Sequence, residues 1–387
     1  MKKFLDCISV VGATPSRFQG TKKYVSTGAV ATTEIDESEV VEVTYEDRPS
    51  RANLSAEAGD ILFAKMQGTR KTLLLDTETE ENIYSTGFYA VRANPEVITT
   101  ECLYYLVDSE LFLTQKDKHC SGATQKAITN GGLAKIEIRV PPLSEQGVMA
   151  EKLRYLTQLI ADKRKQLELY DQVIKSRFIE MFGTISSNEQ NFEILTIESL
   201  CSLIKDGTHQ TPTYTEDTLN GFKFLSSKDV MTEKIDWSNI KYIPSALHEK
   251  LYAVVKPIRN DILMSKNGVN YGVAAVNDTD EVFDIYVSLA LLRPKTDIIN
   301  PVYFRCAINN PDTKRQFDGS IKGIGVPNLH LGEIKKTQIL VPPMDKQIEY
   351  VSFVEHIDKS KFYIIQTQKI IELLIRAIQY TTKEVLL

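Results

Sequence analysis

The chain has 387 residues, 42% of them hydrophobic and 25% charged, which is the make-up of a globular protein with room for two or three domains. Its net charge of −5 excludes a generally basic surface, so any site for a polyanion must be local. Five scattered cysteines, at 7, 102, 120, 201 and 306, form no C-x-x-C pair, which speaks against a zinc ribbon, a redox motif or a disulfide framework and fits a reducing cytoplasm.

In chain order, residues 1–6 start like a signal peptide and are interrupted by Asp6, and no later run approaches the length of a membrane span. Residues 1–143 read as a strand-rich, irregular domain. Short apolar runs at 61–66, 88–92 and 136–140 predict strands between segments rich in Gly, Pro, Asn and Asp. A Pro141-Pro142 pair, Leu143 and the good N-cap Ser144 then open a long helix over 144–183, with Gly183 as its stop. Its apolar stripe is Met149, Leu153, Leu156, Ile160, Leu167, Tyr170, Ile174 and Met181, broken by Lys163 and Arg177. Residues 184–343 form a second strand-rich domain, with predicted strands at 262–266, 289–293 and 338–341. Pro342-Pro343, Met344 and Asp345 open a second long helix within 344–387, whose stripe is Tyr350, Val354, Ile357, Ile364, Ile371, Ile375 and Ile378, broken by Lys361 and Gln368. Four-and-three spacing sustained over several heptads predicts a coiled coil, antiparallel because the second copy must return the chain beside the first.

These parts are two copies of one unit. At a constant offset of 201 residues, Asp60-Ile61-Leu62-Phe63-Ala64-Lys65 matches Asp261-Ile262-Leu263-Met264-Ser265-Lys266. Arg92 matches Arg293, Ile138-Arg139-Val140-Pro141-Pro142 matches Ile339-Leu340-Val341-Pro342-Pro343, and Gln146 matches Gln347. A period this long is a duplicated domain with its helix, not a solenoid repeat.

The order domain, helix, domain, helix resembles the specificity subunit of type I restriction-modification enzymes across the whole chain. The motifs that carry the resemblance are Val11-Gly12-Ala13-Thr14-Pro15-Ser16 and Gly207-Thr208-His209-Gln210-Thr211-Pro212, Arg48-Pro49-Ser50-Arg51-Ala52-Asn53 followed by 59–66, and above all the helix entry 140–146 with its echo at 341–347. The resemblance implies an α+β fold. In it, two similar mixed α/β target-recognition domains are separated by two long helices that form an antiparallel coiled coil with a pseudo-two-fold repeat. It implies that each domain reads one half of a split target in double-stranded DNA. The helices would set the spacer and dock two methyltransferase subunits, with restriction and translocase subunits joining the full complex. S-adenosylmethionine, ATP and Mg would then sit on those partners, leaving this cytoplasmic chain without a cofactor, a metal or a membrane contact.

On that reading three groups of loop residues in each copy are candidates to meet phosphates and base edges. The turns after the first strand offer Ser16, Arg17, Gln19, Lys22 and Lys23, then His209, Gln210, Thr213 and Tyr214. Loops after the core strands offer Lys65, Gln67, Thr69, Arg70 and Lys71, then Lys266, Asn267, Asn270 and Tyr271. The third group is Lys116, Lys118, His119, Gln125 and Lys126, mirrored by Lys314, Arg315, Lys322, Asn328 and His330. Helix pairing is assigned to Met149, Leu153, Leu156, Ile160, Leu167 and Ile174 against Val354, Ile357, Ile364, Ile371 and Ile375.

Catalytic motifs are missing. No phosphate-binding G-x-x-x-x-G-K-[ST] loop occurs, and Asn309-Asn310-Pro311-Asp312 lacks the second proline and the aromatic of an amino-methyltransferase motif. Asp312 with Glu333-Ile334-Lys335 imitates a nuclease signature, but the first copy has Gly132-Leu133-Ala134 at the corresponding place. The five histidines lack metal-ligand spacing. The expected role is recognition without catalysis; the alternative is an orphan, specificity-like scaffold that does not read DNA selectively.

Overall fold

A computed structural model describes residues 1–321 and 327–380. Contacts group the chain into two units, Met1–Lys165 with Ile364–Leu387, and Gln166–Tyr363. Each unit holds one globular copy and part of both long helices.

In the first unit, a four-stranded antiparallel sheet has the spatial order Ile8–Val11, Phe88–Ala93, Ile61–Ala64, Thr72–Leu74. A second sheet runs Val41–Val43, Lys22–Val25, Ile83–Ser85, Ala52–Leu54, with its central pair parallel. The second unit repeats the first sheet as Cys201–Asp206, Leu289–Pro294, Ile262–Ser265, Ala274–Val276. Its second sheet has three strands, Lys241–Ile243, Phe222–Leu225 and Phe283–Ile285. The strands at the heart of the core keep one register in both copies: Leu62 faces Ala90 as Leu263 faces Leu291. Every side chain of Ile61–Ala64 and of Ile262–Ser265 is buried, which explains their apolar sequence; the one polar residue, Ser265, has its hydroxyl hydrogen-bonded to the Asn270 carbonyl.

The residues that repeat at the 201 offset build the frame. Arg92 grips Asp60 bidentately at 2.6 and 3.1 Å, and Arg293 grips Asp261 at 2.8 and 2.9 Å. Both carboxylates are 1% exposed, and each also accepts a backbone N–H, from Glu57 and from Ile258. A buried carboxylate needs this full set of donors. At the helix entries, Gln146 and Gln347 are fully buried. Gln146 accepts from the Thr99 N–H at 2.7 Å and donates to the Val97 and Pro141 carbonyls at 3.0 and 2.9 Å. Gln347 accepts from the Asn300 N–H at 2.8 Å and donates to the Ile298 and Pro342 carbonyls at 3.1 and 2.9 Å.

The long helices span Leu143–Phe182 and Met344–Tyr380, starting within a residue of the expected positions; the rest of the expected 344–387 segment lies outside the described residues. Gly183 ends the first at φ 73°, where a Cβ would come within 2.8 Å of the Ser187 carbonyl oxygen. Within each unit an early stretch of one helix lies beside a late stretch of the other. In the second unit Tyr350 donates to the Ile174 carbonyl at 3.0 Å, and Lys361 pairs with Asp171. In the first, Ile378 shares a cleft with Val148 and Tyr155. The pairing is therefore antiparallel. Leu153, Ile160, Ile174, Val354, Ile364 and Ile371 are buried, and Met149, Leu156, Leu167, Ile357 and Ile375 are half-buried. Lys361, a break in the stripe, has an acidic partner on the other helix; a single polar pair of this kind fixes register.

Candidate nucleic-acid interface

In the first copy the loop at residues 65–71 leaves the core strand at its C-terminal end. Its frame is backbone: the Lys65 N–H donates to Gly87 at 2.8 Å, the Gln67 N–H to Lys126 at 2.9 Å, and the Ile128 N–H to Lys65 at 2.9 Å. The second and third candidate groups thus meet, with Gln67, Gln125 and Lys126 all exposed. Lys65 is half-buried; its ammonium donates to the Thr86 carbonyl at 2.9 Å and lies 4.5 Å from the Tyr89 ring centre. Burial lowers its pKa below the usual lysine value.

The second copy builds the same frame 201 residues later. There the Lys266 N–H donates to Ser288 at 2.9 Å, the Gly268 N–H to Pro327 at 3.1 Å, and the Leu329 N–H to Lys266 at 2.8 Å. Asn267 and Asn328 face each other across an antiparallel bridge, and Asn270, Asn328 and His330 are exposed. The side-chain oxygen of Asn267 is buried without a hydrogen-bond partner. The turn joins this cluster through Asp206, which pairs with Lys266 and lies 3.7 Å from His209. Gly207 is required there, since a Cβ would fall 2.2 Å from the Ile285 carbonyl oxygen.

Two expected contacts, at Lys266 and Lys116, are corrected, and most of the other candidate cations have partners within the chain. Lys266, expected on an exposed loop, is 5% exposed and neutralised by Asp206. Lys116 is 1% exposed and serves the interior. Arg70 is half-exposed, but its guanidinium forms a two-bond pair with Asp108 at 3.0 and 2.6 Å. Arg17, Lys22 and Lys23 sit against Glu46, Glu81 and Glu37 at 2.8–3.0 Å. Arg17 and Lys22 line a cavity of about 660 Å³ that also holds Glu57, Asp60, Glu80, Glu81 and Arg92, an acid-rich lining unsuited to phosphate. Ser16 lines it too. Lys71 donates to the Thr27 carbonyl, and Thr69 is half-buried. The Tyr271 hydroxyl donates to Asp318 at 2.6 Å under the Lys314 ammonium, while Arg315 pairs with Asp312 at 2.7 Å. Gln210, Thr213 and Tyr214 are exposed on the second turn, where the Lys241 ammonium lies 4.2 Å from the Tyr214 ring centre. Lys322 lies outside the described residues.

Sequence reasoning missed Asp206, Asp117 and Tyr89. Asp206 directly precedes the Gly207–Pro212 turn, but nothing local marks a carboxylate as partner to a lysine 60 positions away. Among the described residues no cluster of His, Cys, Asp and Glu is arranged to hold a metal, and no helix is long and apolar enough to cross a membrane.

Two similar sheet domains, each ending its core strand in a polar loop and each bonded to a long helix, define a protein built from one duplicated domain-and-helix unit. The sequence model described as the type I restriction modification DNA specificity domain matches residues 12–169 and 189–374, and the chain belongs to that family. Among its relatives are the type I restriction enzyme EcoBI specificity subunit of Escherichia coli, 23% identical over 64% of this chain and 56% of its own length, and the EcoKI specificity subunit of Escherichia coli strain K12, 22% identical over 70% and 61%. The chain thus spans about three-fifths of those relatives. A solved chain of a type I restriction-modification system, from work on its complex assembly and conformational transition, has the same fold over 96% of both chains, with a TM-score of 0.54 and 20% identity.

Proposed function

We propose that this chain is the DNA-reading subunit of a type I restriction-modification enzyme and performs no chemistry itself. Each globular copy reads one half of a bipartite target in duplex DNA, and the helices set the spacer between the halves. The observation that carries this reading is one backbone loop built twice with different side chains: Gln67 and Thr69 with Gln125 in the first copy, Asn267 and Asn270 with Asn328 in the second. Amide side chains suit base-edge contact, and those of Gln125, Asn270 and Asn328 are exposed, whereas the Gln67 amide N–H donates to the Asp117 carbonyl and the Asn267 amide oxygen is buried. Identical frames with different polar tips are what two readers of two different half-sites require.

The helices also carry apolar side chains outside the pairing stripe. Val148, Tyr155 and Leu373 are 55, 69 and 62% exposed, and Phe362 and Tyr363 are 57 and 70% exposed. Such exposure supports docking of further subunits, here two methyltransferases and, in the full enzyme, restriction and translocase subunits. S-adenosylmethionine, ATP and Mg belong to those partners, and the assembly works in the cytoplasm.

The test is a methylome of cells that carry this chain with its methyltransferase. A bipartite methylated motif supports the reading; methylation without a motif favours a scaffold that does not read. One heptad added to both helices lengthens each by ~10 Å, against ~3.4 Å per base pair. The spacer should then widen by up to about three base pairs with both half-sites unchanged, and an active variant with an unchanged spacer removes the helices as its determinant.

A further inference from the structure

Lys116 stands in the last turn of the helix Glu110–Lys118 and is 1% exposed. Its ammonium donates to three backbone carbonyls, those of Ala64 at 3.3 Å, Met66 at 2.9 Å and Thr69 at 2.8 Å. An ammonium has three N–H donors, and all three are used on one loop. The next residue continues the grip: Asp117 accepts the Gly68 N–H at 3.0 Å, and its backbone carbonyl accepts from the Gln67 side chain at 3.2 Å. Gly68 has φ 71°, so the turn that these bonds hold is one that most side chains would resist.

Two costs oppose this arrangement. Burial disfavours the charged form of Lys116 and lowers its pKa. Removing a long side chain from solvent also costs rotamer entropy. The carboxylate of Asp117 at 3.4 Å and the C-terminal end of the helix offset the first. A packed apolar residue fills the corresponding place in the second copy: Phe317 is fully buried, and Gly272 packs so closely on its ring that a Cβ would lie 2.7 Å away. There the loop's carbonyl at Asn270 is held instead by the Ser265 hydroxyl at 2.8 Å. A packed core at this place therefore does not need a cation. The three-carbonyl geometry does, because no apolar side chain can hold three inward-facing carbonyls together.

We propose that Lys116, with Asp117, is the positioning residue of the first reading loop: it fixes the shape of residues 64–69 from inside and so sets sequence selectivity at one half-site without touching DNA. This rests on the reading of that loop as a DNA contact. Placement within about half an ångström separates a base-specific contact from a loose one, so releasing three carbonyls should relax discrimination before it abolishes binding.

The experiment uses the whole chain co-expressed with its methyltransferase subunits and reads the methylome. Lys116→Met should lose roughly tenfold in discrimination at one or more base pairs of a single half-site, the lower part of the range for one mismatched pair. The other half-site should be unchanged. An assembled Lys116→Met complex with the parental motif overturns the proposal, and so does an even loss of methylation with no relaxation, which marks a purely structural role. If Lys116→Met does not assemble, Asp117→Ala decides. That carboxylate is partly exposed and sits near a helix C-terminus, where its loss does not weaken the helix. Relaxation at the same half-site supports the proposal, and an unchanged motif overturns it. The double substitution Gln67→Ala with Thr69→Ala separates the two levels of the argument. If it leaves the motif unchanged, the loop is not a reader and both readings fall. If it relaxes one half-site while Lys116→Met and Asp117→Ala do not, only the positioning role falls.

Discussion

The loops that follow the two core strands share their backbone hydrogen bonds and differ in what neutralises their first lysine. Lys65 is half-buried, held by a carbonyl and an aromatic face, with no carboxylate on its ammonium among the described residues. Lys266 is buried against Asp206. Residue identity across a repeat thus does not carry function with it. The same lysine at the same backbone position bonds a carbonyl beside an aromatic ring in one copy and is part of an internal ion pair in the other. The second copy instead presents amides and histidine from its turn, so the two surfaces differ in charge as well as in side-chain shape.

The largest expected effect is at the level of whole domains. Exchanging residues 1–143 for the matching segment of another family member should replace one half of the target sequence completely and leave the other half intact, as read by sequencing of methylated DNA. A change in both halves would break the comparison at its base, because the copies would not be independent readers.

Next come the two lysines. Lys266→Ala removes the partner of a largely buried carboxylate and should lower stability by about 3 kcal/mol, measured by urea unfolding, and the double variant Lys266→Met with Asp206→Asn should regain much of it. Lys65→Ala should cost well under that and instead lower the salt dependence of DNA binding by about one ion in the log–log slope. Equal behaviour of the two single variants in both assays would erase the distinction drawn between the loops.

The smallest effect concerns a buried pair in the second copy. Asp284 is 1% exposed and faces His248 at 2.7 Å, whose ring stacks on Phe222 at 3.6 Å and tilts against Tyr252 at 4.9 Å. The matching position of the first copy is Ile83. Burial raises the Asp284 pKa above 3.8, and the bond to His248 only partly opposes that. The folded carboxyl therefore holds its proton to a higher pH than the unfolded one. Its contribution favours folding at the acid end and is lost as pH rises from about 3.8 through the folded value. Asp284→Asn should abolish this fall, which a series of melting temperatures across that window would reveal. An unaltered slope would assign it to other groups.

What could be read from the sequence was the frame. Asp60 and Arg92, Gln146 and Gln347, the Pro-Pro helix entries and the heptad stripes all appear as repeated residues because backbone geometry and burial allow few substitutes. The fate of the loop cations could not be read, because each depends on a partner distant along the chain. Asp108 lies 38 residues from Arg70, and Thr69 lies 47 residues from the lysine that holds its carbonyl. Nor does the spacing of apolar residues reveal that Lys361 meets Asp171, 190 positions away. Local pattern reports periodicity and turns; it does not report which opposite charges the fold brings together.

The two glutamines at the helix entries have a consequence for domain exchange. Every atom that Gln146 and Gln347 bond in the domains beneath them belongs to the main chain. A joint made this way is indifferent to the side chains of the domain it holds. At this hydrogen-bonded joint a foreign domain needs no particular side chain, provided its backbone offers one N–H and two carbonyls in the same places; the apolar contacts beside it, such as Phe178 and Tyr350 against Tyr303, are where a transplanted domain must match the helix.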